Sequence, residues 1–469
     1  MLRPWGGMMH TSTSGARRGW LAVTLLIVLT GCGTIPPKPG FDDVEQLARD
    51  RTGMRVQWNQ GRQEDAATDQ SVDALLREGL TADAAVQIAL LNNPSLQADY
   101  ERLGVAQADL VQAGLLINPV FGFSVQRSSD TATGTARGFS VTQDFLNLFT
   151  RLPRKQMAAA GFEKTRLEVS QMVVMLAAET RAAYHQTQAL TRSLELYQQA
   201  TRATQAAADL AGRQYEARTL SKRDHRLHQS FHAEVELAVA QEQVALLSAR
   251  EHLNRLMGLW GRRTDWRIAV RLADPPSATP LLAPLESHAI AERIDLAVLK
   301  RERDLVHGAL QFTRDYRYLS ALGVGYGYEK DRAETLRGPS IELGLPLFDR
   351  SQGTIARLES QRREIERKLQ AQAVHIRSEV REAHGRLAAA HAAVGQFRDR
   401  ILPLQQDIVG ESQKFYNGML IGVYDLLRAK QDQINAGREY VRALGEYWQA
   451  HVALEKALGG RWPRAVANP

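Results

Sequence analysis

At 469 residues the chain could hold two or three globular domains, yet only 7% of it is aromatic. Alanine, glutamine, arginine and glutamate are abundant, a composition that favours long helices over one large core. The formal charge is +7, but basic and acidic residues alternate along the helical stretches. That pattern reads as a solvated helix face, so no nucleic-acid partner is expected.

Residues 1–31 read as an export signal. Arg17 and Arg18 precede an apolar run from Trp20 to Leu29 that is too short to span a bilayer. Leu29-Thr30-Gly31-Cys32 follows, and Cys32 is the only cysteine, so no internal disulfide can form. The sequence resembles a bacterial lipoprotein processing site, which implies that Cys32 becomes a lipidated N-terminus. Gly33 rather than an aspartate in the next position implies the outer membrane. The plain alternative is an ordinary export signal with an incidental cysteine. Residues 32–80 read as a lipid-anchored extension: a proline-rich tether, then a small peripheral element. Beyond residue 31 no run of about 20 apolar residues occurs, so any membrane crossing must be made by strands.

Thr81 is a good N-cap for a helix running to about Ile117, interrupted at Asn92-Asn93-Pro94 and ended by Asn118-Pro119. Two strand patterns follow. Phe121, Phe123 and Val125 alternate with Gly122, Ser124 and Gln126, and Phe139 and Val141 with Ser140 and Thr142. A second pair comes later: Leu322, Val324, Tyr326 and Tyr328 alternate with glycines, and Ile341, Leu343 and Leu345 with Glu342 and Gly344. Large apolar residues on one face fit a membrane barrel with that face to lipid, or a soluble sheet packed on helices. Four strands cannot close a barrel, and open edges cannot exist in lipid, so a barrel would have to be pooled among subunits.

Long helices are expected from Pro153 to about Tyr215 and from about Gly353 to Tyr416. In the second, Leu358, Ile365, Leu369, Ile376, Val380 and Leu387 form the apolar stripe. Its steps of eleven imply nearly straight helices, and Pro403 is expected to kink the span. Returning helices are expected over about Ser221–Leu259 and Val423–Leu458, making two hairpin tips at the same end.

The order is doubled. Tyr215, Asp224 and Gly258 recur as Tyr416, Asp425 and Gly459, each 201 residues later; Phe149 recurs as Phe348, and Pro94-Ser95-Leu96 lines up with Ile294-Asp295-Leu296. A repeat of this size marks a structure built by duplication. The chain divides into repeat 1 (residues 81–260), a linker (261–289), repeat 2 (290–460) and a tail (461–469).

Asn93-Pro94, Asn118-Pro119, Leu345-Pro346-Leu347-Phe348-Asp349-Arg350, Tyr416 to Leu427 and Ala457-Leu458-Gly459, in this doubled order, resemble the outer membrane factor family of TolC-type efflux ducts. The resemblance implies a mainly α fold with a small β part and an internal twofold repeat. Long antiparallel helical hairpins would form an α-barrel tunnel, and four strands per chain would join a trimeric 12-stranded transmembrane β-barrel. It further implies a homotrimer in outer-membrane lipid, working with a periplasmic adaptor protein and an inner-membrane efflux pump. The cargo would be drugs or transition-metal ions such as copper. By the same resemblance Asp425, Arg428 and Tyr416 lie at the periplasmic aperture. The tips Arg218, Thr219, Leu220, Met419, Leu420 and Ile421 would meet the adaptor. Where some family members carry an arginine four residues before the acid, this chain has Ile421.

His225, His228 and His232 share one helix face at spacings that can hold a transition metal, though a polar helix face reads as well. No catalytic or nucleotide-binding motif is present, so neither an enzyme nor a cofactor is expected. The rival to a duct is a periplasmic coiled-coil scaffold or adaptor lipoprotein without a pore.

Overall fold

The computed structural model describes residues 35–61, 65–127, 135–276, 281–319, 321–330 and 334–461. Cys32, the export segment 1–31 and residues 462–469 lie outside the described residues. Repeat 1 begins with α3 (Ala82–Asn92), capped by Thr81, whose side chain accepts from the Ala84 N–H at 3.1 Å. Asn93 then caps α4 (Pro94–Ala113), with Pro94 in the first turn, where its missing N–H costs nothing. The helix stops at Ala113, four residues short of the expected end, with Gly114 as its C-cap.

Strands β1 (Val120–Arg127) and β2 (Thr135–Asp144) lead into α5 (Leu146–Glu216), 71 residues long, which returns as α6 (Lys222–Met257). Repeat 2 runs through α7 (Ala283–Glu292), α8 (Ile294–Tyr316), β3 (Ala321–Lys330), β4 (Thr335–Gly344), α9 (Gln352–Gln396), α10 (Leu402–Asn417) and α11 (Val423–Leu458). Ahead of both lie α1 (Phe41–Thr52) and α2 (Asp65–Arg77).

Two prolines shape the long helices differently from the expectation. Pro153 does not start α5 but lies inside it, leaving the Phe149 carbonyl without its helical donor. The Tyr316 hydroxyl of α8 donates to that carbonyl at 3.3 Å, so the helix continues back to Leu146. Before Pro403 the helix widens into a π turn over Phe397–Ile401, and the proline falls in the first turn of α10. The expected kink is therefore taken up as a π-bulge.

The four strands form one antiparallel sheet in the order β1-β2-β3-β4. Register rows run straight across it, such as Phe121–Val141–Tyr326–Pro339 and Phe123–Phe139–Tyr328–Arg337. The opposite face carries Gly122–Ser140–Gly327–Gly338. Space there is tight at two positions, where a Cβ on Gly122 would lie 2.6 Å from the Ser140 Oγ and one on Gly138 2.5 Å from the Ser124 Oγ, while Gly327 and Gly338 face open space. The sheet is thus apolar on one face and glycine-rich on the other, with β1 and β4 at its edges.

The buried cores sit where the short helices wrap the long ones. Leu285, Leu296, Ile376, Val380, Leu387, Leu444 and Tyr447 make one cluster in repeat 2. The expected stripe of α9 is buried at Leu358, Ile365, Ile376, Val380 and Leu387. In repeat 1, Phe41, Trp58 and Tyr100 stack together against Val169 and Val173 of α5. Residues 41–58 are therefore built into the core: Trp58 is 1% exposed and donates to Glu101 at 2.9 Å. Farther along, α10 buries none of its residues.

Candidate functional site: the hairpin tips

Both helical hairpins turn with the same backbone device. Arg218 and Met419, 201 positions apart, hold left-handed φ values of 61° and 57°. Their N–H groups donate to the carbonyls of Tyr215 and Tyr416, at 2.9 Å and 3.0 Å. A non-glycine residue in this region is uncommon and mildly strained, so its recurrence is a feature of the turn. The doubled tyrosines thus close the tips through their carbonyls. Thr219 and Arg218 are exposed, Met419 is 93% exposed and Leu420 72%, while Leu220 and Ile421 are half-buried.

The doubled aspartates start the returning helices. The Asp224 N–H donates to the Ser221 Oγ at 3.1 Å, and the Ser221 hydroxyl donates to the Asp224 carboxylate at 2.8 Å. In repeat 2 the Gly422 N–H donates to the Asp425 carboxylate at 3.1 Å. An acid at this position satisfies a free helical N–H and complements the helix dipole. Asp425 therefore has a local structural role, and it remains exposed, as does Arg428 one turn on.

Asp425 and Arg428 line a groove of about 590 Å³ whose floor is α5 and whose walls are α6 and α11. Tyr424 and His228 close it from opposite walls, stacked at 4.1 Å between ring centroids, and the Tyr424 hydroxyl donates to Gln214 at 2.6 Å. Burial lowers the His228 pKa, opposed by the Asp224 carboxylate. The histidine stripe does not converge. His225 stacks on Tyr215, His228 on Tyr424, and the His232 Nδ1 meets the Thr204 hydroxyl at 3.0 Å. Among the described residues no group of three or more histidine, cysteine or carboxylate side chains could hold a metal ion.

Sequence reasoning missed Tyr424 and Gln214. The repeat does not signal them, because Tyr424 aligns with Arg223 and Gln214 with Phe415, and the histidine positions of repeat 1 align with Leu426, Ala429 and Gln433. The tip contacts are thus where the two halves differ. Cys32 lies outside the described residues.

The sheet is the second functional surface. Phe121, Phe123, Phe139, Val141, Tyr326, Ile341 and Leu343 are all exposed on one face. Among the described residues no helix is long and apolar enough to cross a membrane.

No protein-family model matches the chain. It is 23% identical over 395 residues to the cobalt-zinc-cadmium resistance protein CzcC of Cupriavidus metallidurans, covering 81% of this chain and 90% of that protein. Among solved structures it resembles the outer-membrane channel OprN with a TM-score of 0.67 at 15% identity, covering 88% of this chain and 96% of that one. It resembles the outer membrane protein VceC of Vibrio cholerae with a TM-score of 0.63 at 17% identity, over 84% and 96% of the two chains. The open state of the MtrE outer membrane channel of Neisseria gonorrhoeae gives 0.65 at 14% identity, over 80% and 88%. Doubled hairpins, a four-stranded antiparallel sheet and these likenesses give one answer: the chain has the fold of the outer membrane factor channels.

Proposed function

We infer that the chain is the outer-membrane channel component of a tripartite efflux system, a passive duct from the periplasm to the exterior. The observation that carries this reading is the sheet, with exposed aromatic and aliphatic rows on one face, small residues on the other and two free edges. Such a sheet is stable in lipid only when its edges are closed by copies of itself. Three copies give 12 strands, an even number within the range of known barrels. A coiled-coil scaffold would have no use for the apolar rows.

Cargo would be drugs or transition-metal ions, copper among them, and the likeness to CzcC favours metal ions. The two tips, Arg218, Thr219 and Leu220 in repeat 1 and Met419, Leu420 and Ile421 in repeat 2, would meet a periplasmic adaptor through their exposed turns, with an inner-membrane pump behind it. Asp425 and Arg428, one turn apart on α11, would ring the periplasmic aperture when three copies meet at an axis, with Tyr416 beside them. Cys32 would carry lipid: Ile35, Pro36 and Pro37, which follow it closely, are exposed, and the chain is first packed down at Pro39.

Planar-bilayer recording tests the duct. Purified wild-type protein should insert as a trimer and conduct, and Asp425→Ala with Arg428→Ala should raise the resting conductance. A protein that stays soluble without detergent and never conducts would favour the scaffold. Unchanged conductance in an intact double-variant trimer would place the constriction elsewhere. Fatty-acid labelling of Cys32→Ser cells tests the anchor, since equal label in both strains would remove it.

A further inference from the structure

Charge on the sheet is sorted by face. Rows across the register put Arg127, Arg137, Lys330 and Arg337 on the same face as Phe123, Phe139 and Tyr328. The acids of the strands, Asp144, Glu329 and Glu342, fall on the opposite, glycine-rich face. Position along the strands is sorted too. The basic residues cluster at the end of the sheet away from the helices, where β1 ends and β2 begins, and where β3 ends and β4 begins. Phe123, Phe139 and Tyr328 form one aromatic row that ends on Arg337, with the Phe123 and Phe139 ring centroids 5.0 Å apart; Arg137 and Lys330 share the next row outward with Val125, and Arg127 lies beyond it.

This arrangement is unfavourable in the isolated chain. Arg137 and Lys330 are direct cross-strand partners, and like charges directly opposite each other destabilise a sheet. All four side chains are exposed, and none of them makes an ion pair with another described residue. An anion bound between these side chains relieves that repulsion. Along the apolar face, from the helices outward, Val324 and Ile341 come before the mixed row of Phe121, Val141 and Tyr326 and the row of Phe123, Phe139 and Tyr328, and the basic side chains lie in that last row and beyond it, beside Val125. A bilayer has the same order: hydrocarbon, interface, headgroup phosphate.

We propose that Arg127, Arg137, Lys330 and Arg337 form a basic girdle on the lipid-facing side of the sheet that binds the phosphates of anionic lipid in the outer leaflet. The proposal rests on the duct reading for the direction of the apolar face. It adds a ligand class, a phosphorylated lipid, that the transport role does not require. A basic side chain near an anionic membrane surface contributes about a five-fold gain in binding, and four of them act together in each chain.

The test uses the full-length protein in neutral detergent with diphosphoryl lipid A as probe. Its thermal unfolding temperature should rise with added lipid, and the rise should be lost when Arg127, Arg137, Lys330 and Arg337 are all changed to Gln. The single variants Lys330→Gln and Arg337→Gln guard against a general folding defect, each weakening lipid binding roughly five-fold. Arg337→Lys should retain the response. A rise of equal size with dephosphorylated lipid would show acyl packing alone and overturn the proposal. So would an equal rise with inorganic phosphate, which would indicate a free-anion site. Failure of the duct reading is distinguishable, because it appears as absence of conductance whether or not the lipid binds.

Discussion

Gly258 ends α6 directly against Asn92: a Cβ built on it would lie 2.6 Å from the Asn92 carbonyl oxygen and 2.9 Å from Pro94. The Asn92 side chain donates to the carbonyls of Met257 and Gly258, both at 2.9 Å, so the turn between α3 and α4 receives the end of the returning helix. Repeat 2 repeats the arrangement with different chemistry. Gly459 lies against Arg293, whose guanidinium donates to the Ala457 carbonyl at 3.1 Å. Both glycines hold positive φ, 66° and 85°. Gly258→Ala should lower the unfolding temperature clearly, with about 1–2 kcal/mol from the left-handed backbone alone and more from the clash. Gly459→Ala should cost less, because its nearest neighbour is 3.5 Å away. Thermal unfolding in detergent checks the order, and equal losses would remove the Asn92 contact as the cause.

The hydroxyl that rescues Phe149 makes a double-variant test. Tyr316→Phe should destabilise the start of α5 by about 1 kcal/mol, the ordinary worth of one hydrogen bond. Pro153→Ala restores an N–H for the same carbonyl, so in that background Tyr316→Phe should cost nearly nothing. Additive losses would show that the two groups do not share the carbonyl.

His185 stacks on Trp448 with ring centroids 5.2 Å apart, and burial lowers its pKa to about 4. Gln188 and Arg181 flank it on α5, His451 and Glu455 face it from α11, and Asp83 from α3. Burial lowers His451 as well. The unfolded chain takes up the proton near pH 6.5, before the folded chain does, so stability rises with pH across this window. The contribution is complete above about 6.5 and is lost as pH falls toward 4. His185→Phe keeps a ring on Trp448 and should flatten the melting profile between those limits. A slope unchanged from wild type would assign the acid sensitivity to other groups.

Asp144 and Glu342 flank Gly323 in one row on the glycine-rich face of the sheet, where a Cβ built on Gly323 would lie 3.6 Å from the Glu342 carboxylate. In a closed trimer these carboxylates would ring the lumen at the helical end of the barrel and favour cations. Asp144→Asn with Glu342→Gln should shift the reversal potential toward anions in a salt gradient. No shift would mean that the tips govern selectivity.

Phe123 stands in the aromatic row of the apolar face, 56% exposed. Phe123→Arg should cost about 1 kcal/mol or less, because its row meets the interface, whereas Val141→Arg, one row closer to the helices, should impair insertion at a cost of about 2–4 kcal/mol. The trimer recovered from membranes gives the readout. Normal yield of the Val141→Arg variant would indicate that this face does not meet hydrocarbon.

The amino-acid sequence by itself determined the elements and their doubling. The alternation of Phe121, Phe123 and Val125 with small residues, the caps at Thr81 and Asn93, and the recurrence of Tyr215 and Asp224 at Tyr416 and Asp425 are local properties of period, cap and offset. Such features depend on neighbours in the chain, so they survive without coordinates. Only the tertiary structure decided what the recurring residues do. The carbonyl of Tyr416 closes a turn at Met419, the carboxylate of Asp425 caps α11, and the hydroxyl of Tyr316 replaces the N–H that Pro153 lacks. His225, His228 and His232 share a face in sequence, yet each is held by a different neighbour, because Tyr215, Tyr424 and Thr204 lie on other turns and helices. Charge sorting across the sheet was equally hidden. A side chain's face follows from its strand, but which strands share a row is set by register, and register comes from pairing between segments nearly 200 residues apart.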